Sequence, residues 1–299
     1  MSADQPCVAA VGVFDGVHLG HQSLIRMARD RAIERGVPLT AVTFDPDPMA
    51  VIPGRQAPSH LAPLSRRCQL LEQAGADTVH VLNFDEAMSR MSPEDFVRDV
   101  LVGQIGAVDV VVGPDFRYGH RAAGTVTSLE KDGHALGFDV CIAGMVGDEA
   151  DRWSSTRIRA QVEAGDVEAA ARGLGRPYSI DGVVVHGDHR GRELGYPTAN
   201  ITWDDHPAVP ADGVYAGFLL DASVRWPAAI SVGTNPQFDG RERRVEAYAL
   251  DRDDLDLYGH EVRVDFVRRL RGQLVFGSVE ELMDQMAEDV AESRSLLTQ

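Results

Sequence analysis

The stretch VAAVGVFDGVHLGHQSLIRMARDRAIERGVPLTAVTF, residues 8–44, decides the fold. VAAVGVF (8–14) is a short continuous apolar run, the pattern of a strand buried on both faces. HQSLIRMARDRAIERG (21–36) follows with helical spacing and a glycine at its end, and PLTAVTF (38–44) is a second buried strand. Working outward, the alternation continues. SRRCQLLEQAG (65–75) reads as a helix stopped at Gly75, and TVHVLNF (78–84) as a third strand. SPEDFVRDVLVGQIG (92–106) reads as a helix with Ser92 as N-cap and Pro93 at its first position. VDVVVG (108–113) and GFDVCIA (137–143) complete five strands. Apolar strands separated by helices imply a parallel sheet covered on both faces, a doubly wound α/β Rossmann-like domain that binds ligands beyond the carboxyl ends of its strands.

The pattern then changes. STRIRAQVEAGDVEAAARGLG (155–175) gives two short helices broken at Gly165, and GRPYSI (175–180) reads as a hinge. IDGVVVHG (180–187), GVYAGFLLD (213–221), AAISVGT (228–234), RRVEAYALD (243–251) and HEVRVDFVRRL (260–270) are short strands with turn residues between them, the mark of a small antiparallel barrel. SVEELMDQMAEDVAESRSLL (278–297) is an amphipathic C-terminal helix with Ser278 as N-cap. The expected division is 1–175 and 176–299.

The 299 residues suit two domains, and 44% hydrophobic with 25% charged residues is ordinary for a globular protein. A net charge of -17 argues against nucleic acid or an anionic membrane as partner, though not against nucleotides, which need only a local cradle of N–H groups and a few cations. Cys7, Cys68 and Cys141 form no C-x-x-C pair, so neither a zinc site nor a disulfide framework is indicated. MSADQPCVAAVGVFDG is no secretory signal, and no apolar run approaches the ~20 residues that span a bilayer. A cytoplasmic protein is expected. Whether it forms a homo-oligomer stays open.

Two stretches carry chemistry. In GVFDGVHLGH (12–21), Gly12, Gly16 and Gly20 let backbone approach a ligand. His18 and His21, three apart at a helix start, can face one side beside unpaired N–H groups suited to phosphate. SSTRIR (154–159) offers a second such terminus, with plain capping by Ser155 and solvated arginines as the competing reading. GPDFRYGHRAAG (113–124) supplies a loop with Asp115 as a candidate base or ribose contact. In HGDHRGRELGYPTAN (186–200), Gly187, Gly191 and Gly195 permit a tight phosphate loop with Arg190 and Arg192 as counter-charges. Pro197 stiffens its exit. Thr198 and Asn200, two apart on an extended segment, point one way and can complete the shell of a Mg²⁺ that keeps water and phosphate ligands. A basic, glycine-rich surface hairpin is the competing reading.

GxFDGxHxGH, TFDPDP (43–48), PEDFVRDVL, the DFRYG loop and SSTRIR together resemble, in order, the HxGH nucleotidyltransferases, and more narrowly the prokaryotic FAD synthetase module. That resemblance implies ATP contacts at Gly12, Phe14, Asp15, Gly16 and Gly20. It also implies phosphate binding by His18, His21, Ser155, Thr156 and Arg157, with Asp115 and Phe116 near the nucleotide or flavin. GRELGYPTAN, GVYAG, SVGTNPQF, RVEAYALD and DLYGHEVRVDF resemble, in order, the riboflavin kinases. This second resemblance implies Thr198 and Asn200 as metal ligands and Glu246 as catalytic base. Gly187, Arg190, Gly191, Gly195 and Pro197 would then lie at the nucleotide.

The expected activity is that of a prokaryotic bifunctional riboflavin kinase and FAD synthetase: riboflavin to FMN, then FMN to FAD, with ATP and Mg²⁺ at both sites. A kinase whose first half adenylylates another substrate, and a flavin-binding regulatory protein with little turnover, are the alternatives. The chain departs from the family at Asp47, where histidine is common, and in LRGQLVF (270–276), where an acidic-and-lysine pattern is usual.

Overall fold

The computed structural model describes residues 5–149, 151–187, 195–222, 224–234 and 243–298. The chain divides into two compact units, Met1–Pro58 with Leu64–Ser154, and Ser59–Pro63 with Ser155–Gln299.

The first unit opens with β1 (Cys7–Val11), α1 (Leu19–Arg35) and β2 (Leu39–Asp45). The short α2 (Pro48–Val51) and α3 (Leu64–Gln73) lead to β3 (Thr78–Asn83) and α4 (Glu86–Ser89). After α5 (Pro93–Asp95) the helix continues as a π-helix, Phe96–Gln104, into β4 (Ala107–Val112). A two-residue hairpin, β5 (Arg117–Tyr118) with β6 (Gly124–Thr125), precedes α6 (Val126–Leu136) and β7 (Asp139–Ile142). The five long strands pair in parallel in the order β3-β2-β1-β4-β7. Every residue of β1 is buried, whereas the edge strands β3 and β7 are largely half-exposed or exposed. Strand order reverses at β1, so the loop leaving its carboxyl end opens on the crevice where such sheets bind ligands.

The helix over 92–106 differs from its expected form. Ser92 caps it and Pro93 opens it, but from Phe96 the coil widens, and the Ile105 N–H reaches Val100 O, five residues back. Phe96, Val97, Val100 and Leu101 enter the core in either coil, which is why apolar spacing does not tell the two apart.

The second unit begins with α7 (Ser155–Glu163) and α8 (Val167–Leu174). Its strands are β8 (Tyr178–Val185), β9 (Ala199–Thr202), β10 (Gly213–Asp221), β11 (Val224–Thr234), β12 (Arg243–Ala249) and β13 (Glu261–Arg271). All pairs are antiparallel, and they close a barrel in the order β10-β11-β12-β9-β8-β13. Alternation decides what faces inward: Val245, Ala247 and Ala249 of β12, and Val262, Val264 and Phe266 of β13, are buried. Phe266 packs between Tyr178 and the perpendicular ring of Tyr215. The C-terminal α9 (Val279–Leu297), capped by Ser278, packs on β10 and β11 and is pinned by Asp289, whose two oxygens take Arg271 at 2.9 and 2.6 Å. The expected architecture, parallel α/β sheet and then antiparallel barrel with a C-terminal helix, is the one observed. Among the described residues no helix is long and apolar enough to cross a membrane.

Candidate active sites

The loop between β1 and α1 is built to hold two imidazoles side by side at a helix start. Phe14 and Val17, neither a glycine, both hold left-handed backbone (φ 56° and 40°), and Gly16 lies between them at φ 74°. Such strain persists where surroundings over-determine it, and it gathers at functional sites. Phe14, Asp15 and His18 are buried here. His18 is the N-cap of α1: its Nδ1 accepts from Gly20 N–H at 3.1 Å and from His21 N–H at 3.4 Å. That bond leaves the donor of a neutral His18 on Nε2. Gly20 leaves room for this geometry, because a Cβ there would lie 3.0 Å from the His18 ring and press on it.

His21 stacks on His18, ring centroids 3.6 Å apart and 19° between planes, with Phe14 edge-on at 5.2 Å. Burial, then the charges of His18 and Arg67, push the His21 pKa well below its ordinary value. Its Nδ1 is sealed from solvent and has no hydrogen-bond partner among the described residues. The structure thus brings His18 and His21 together at the end of the first strand, in the loop that also holds Gly12 and Asp15.

Other expected residues lie farther along the chain. Asp115 is exposed and ion-paired with Arg152 at 2.9 Å, while Phe116 stacks on Tyr118 and packs against the core. Asp47, the departure from the usual histidine, caps α2 through Met49 N–H at 2.7 Å. Ser155, Thr156 and Arg157 open α7, in the second unit. Arg67 was not singled out by sequence; it stood in SRRCQLLEQAG as one helix arginine among others. In the fold it is buried and donates to Val13 O, Thr43 Oγ1 and Phe44 O.

The second cluster sits on the barrel. β9 and β12 pair so that Asn200 faces Glu246, and the Thr198 hydroxyl donates to Glu246 Oε2 at 3.4 Å. Gly187 lies against Asn200: a Cβ on it would fall 2.2 Å from the amide nitrogen. Gly195 turns the chain at φ 84° ahead of Pro197. An open cleft is lined by Gly187, Pro197, Thr198 and Asn200 together with Arg252, Asp253 and Tyr258. Glu246 is not among its lining residues and reaches it through Thr198. Arg252 and Asp253 come from a stretch that sequence reasoning did not single out, and no motif or periodicity marks them; Tyr258 stands in the DLYGHEVRVDF stretch, where no role was assigned to it. Arg190 and Gly191 lie outside the described residues.

This donor set fits a divalent cation bound with a polyphosphate. It offers neutral oxygens from Thr198 and Asn200 with one carboxylate beside them, and no group of three His, Cys, Asp or Glu side chains able to hold a metal occurs among the described residues.

Comparison with known proteins matches residues 1–157 to FAD synthetase and residues 174–297 to riboflavin kinase. The bifunctional riboflavin kinase/FMN adenylyltransferase of Listeria monocytogenes is 36% identical over 293 residues, covering 96% of this chain and 91% of that protein. The one from Pseudomonas fluorescens is 37% identical over 291 residues, covering 97% and 93%. A crystal structure from Streptococcus pneumoniae, described as a macrolide-efflux protein, superposes with a TM-score of 0.89 at 32% identity over 98% of this chain and 95% of that one. With both halves matched and relatives aligned nearly end to end, the chain belongs to the family of bifunctional riboflavin kinase/FMN adenylyltransferases.

Proposed function

We propose that the barrel phosphorylates riboflavin to FMN and that the α/β unit then transfers an adenylyl group from ATP to FMN, giving FAD and pyrophosphate. The observation that carries this reading is the contrast between the two clusters. One has a carboxylate beside oxygen ligands, and the other has paired imidazoles and no assigned base.

The contrast matches the two nucleophiles. The 5′-hydroxyl of riboflavin must lose a proton as it attacks the γ-phosphorus of ATP, and Glu246 takes that proton while ADP leaves. Thr198 holds the Glu246 carboxylate by its hydroxyl proton and keeps its oxygen lone pairs for a cation. Thr198 and Asn200 are the residues that would hold Mg²⁺, which when bound offsets charge on the phosphates of ATP. Gly187, Arg190, Gly191, Gly195 and Pro197 are assigned to the nucleotide.

In the first unit the attacking oxygen belongs to FMN phosphate and is already anionic, so no base is needed. It attacks the α-phosphorus, and the bond to pyrophosphate breaks. His18 and His21 donate to the phosphates beside the helix start, with Gly12, Phe14, Asp15, Gly16 and Gly20 shaping the loop. Ser155, Thr156 and Arg157 are assigned to phosphate as well, and the FAD synthetase match runs through residue 157 to take them in. Asp115 and Phe116 are assigned to the nucleotide or flavin. On this reading the adenylyltransferase comprises 1–175 and the kinase 176–299. The enzyme works in the cytoplasm, which the three unpaired cysteines favour, and a homo-oligomer is compatible with it.

The test is incubation of purified protein with riboflavin, ATP and Mg²⁺, with chromatographic separation of the flavins over time. FMN should rise first and FAD follow. FMN alone would give the first unit another substrate, and unchanged riboflavin would sink both assignments.

A further inference from the structure

Neither step as described uses Arg67. It lies on α3, only 6% exposed, and its Nη1 donates to three oxygens at the ends of β1 and β2: Val13 O at 3.2 Å, Thr43 Oγ1 at 3.4 Å and Phe44 O at 3.1 Å. Thr43 Oγ1 in turn donates to Val13 O at 2.8 Å, tying one strand end to the other. Its Nε is buried without a partner, and no carboxylate pairs with it among the described residues. That separates it from Arg31 and Arg35, which share the buried Asp109, and from Arg271, which holds Asp289.

A buried cation with only neutral partners is costly, and the fold keeps it where negative charge can repay the desolvation. The carboxyl ends of parallel strands aim carbonyl oxygens at the crevice, an edge that by itself repels phosphate. Arg67 covers two of those carbonyls and leaves net positive charge at that edge. It also lies close enough to His21 for its charge to act on the ring.

We propose that Arg67 is a positioning residue for adenylyl transfer: its guanidinium splints the ends of β1 and β2 beside the His18–His21 pair and supplies a permanent positive charge at the edge where that pair meets phosphate. The inference rests on the reading that this unit transfers an adenylyl group. The charges acting on His21 are His18, from the start of its own helix, and Arg67, from α3; both disfavour a proton on the ring. Asp15, buried in the intervening turn, is the neighbouring carboxylate in sequence.

The test compares Arg67→Met and Arg67→Lys with the wild-type full-length chain. The measurements are KM and kcat for ATP in FAD formation, FMN formation as a control, and an NMR titration of the His21 ring. In Arg67→Met, kcat/KM for ATP should fall about 100-fold, FMN formation should hold, and the His21 midpoint should rise. Arg67→Lys should restore the midpoint and part of the rate, since it returns the charge without the fork of donors. An unmoved His21 midpoint in Arg67→Met, or no recovery of rate with lysine, would reduce Arg67 to a structural clamp and overturn the proposal. If Arg67→Met does not fold, Arg67→Gln keeps donors for the carbonyls, removes the charge and is read the same way. The titration needs no turnover, so wild-type protein that makes no FAD would sink the adenylylation reading while the Arg67 measurement still stands.

Discussion

His21 is a histidine held neutral, and that has a consequence for stability. Its ordinary pKa is near 6.5, and burial beside His18 and Arg67 lowers it in the folded chain. Between the two values the unfolded chain binds a proton that the folded chain does not. This contribution to stability is therefore complete above about pH 6.5 and is lost as pH falls from there toward the folded pKa. Melting of the first unit, followed by calorimetry from about pH 7 to about pH 5, should show the loss, and His21→Asn should shallow the slope. An identical slope in both proteins would mean that His21 titrates normally. Asp47 raises the opposite concern, a carboxylate in a polyphosphate site. Here its oxygen is engaged by Met49 N–H at the start of α2, a position that favours negative charge.

Elements rather than single residues set the spacing of the kinase cluster. Thr198 precedes β9 and Asn200 lies within it, while Glu246 comes from β12; only their antiparallel register places carboxylate, hydroxyl and amide together. The end of β8 limits the cluster from the other side, where Gly187 touches the Asn200 amide. Gly187→Ala would push that amide aside. Kinase turnover should drop by about 10²-fold with a higher Mg²⁺ requirement and an unchanged melting temperature, because Gly187 lies outside the strand ladder. Full activity in that variant, assayed as FMN formed against Mg²⁺ concentration, would separate Asn200 from the metal. In the other unit the corresponding constraint is the helix start, where His18 caps α1 and is also the proposed phosphate ligand, so that a substitution there changes both roles at once.

At the scale of the whole chain, two compact units imply separable activities. His21→Ala should abolish FAD formation and spare FMN formation, and Glu246→Gln should cut FMN formation by about 10²–10⁴-fold while FMN supplied directly is still adenylylated. Loss of both products in either folded variant, measured by flavin chromatography, would refute the two-site scheme. Excess chelator should stop both reactions, and Mg²⁺ should restore both; a reaction that survives chelation has no cation in it.

Much of this architecture was legible in the sequence. Apolar runs of strand length alternating with helices state a parallel sheet, because only a sheet covered on both faces buries such strands whole. Short alternating strands between turn residues state the barrel. The histidine pair and the Thr198–Asn200 step were legible too, since each is local and follows helical or strand periodicity. What joins residues distant in sequence was not. Arg67 reached the strand ends, Glu246 reached Thr198, and the loop bearing Asp253 and Tyr258 reached the cleft only through folding. The widened coil over Phe96–Gln104 was equally hidden. Periodicity reports which face of an element is buried, whereas long-range partners, coil width and the charge a ring carries depend on what packs against that face, and only the tertiary structure decides this.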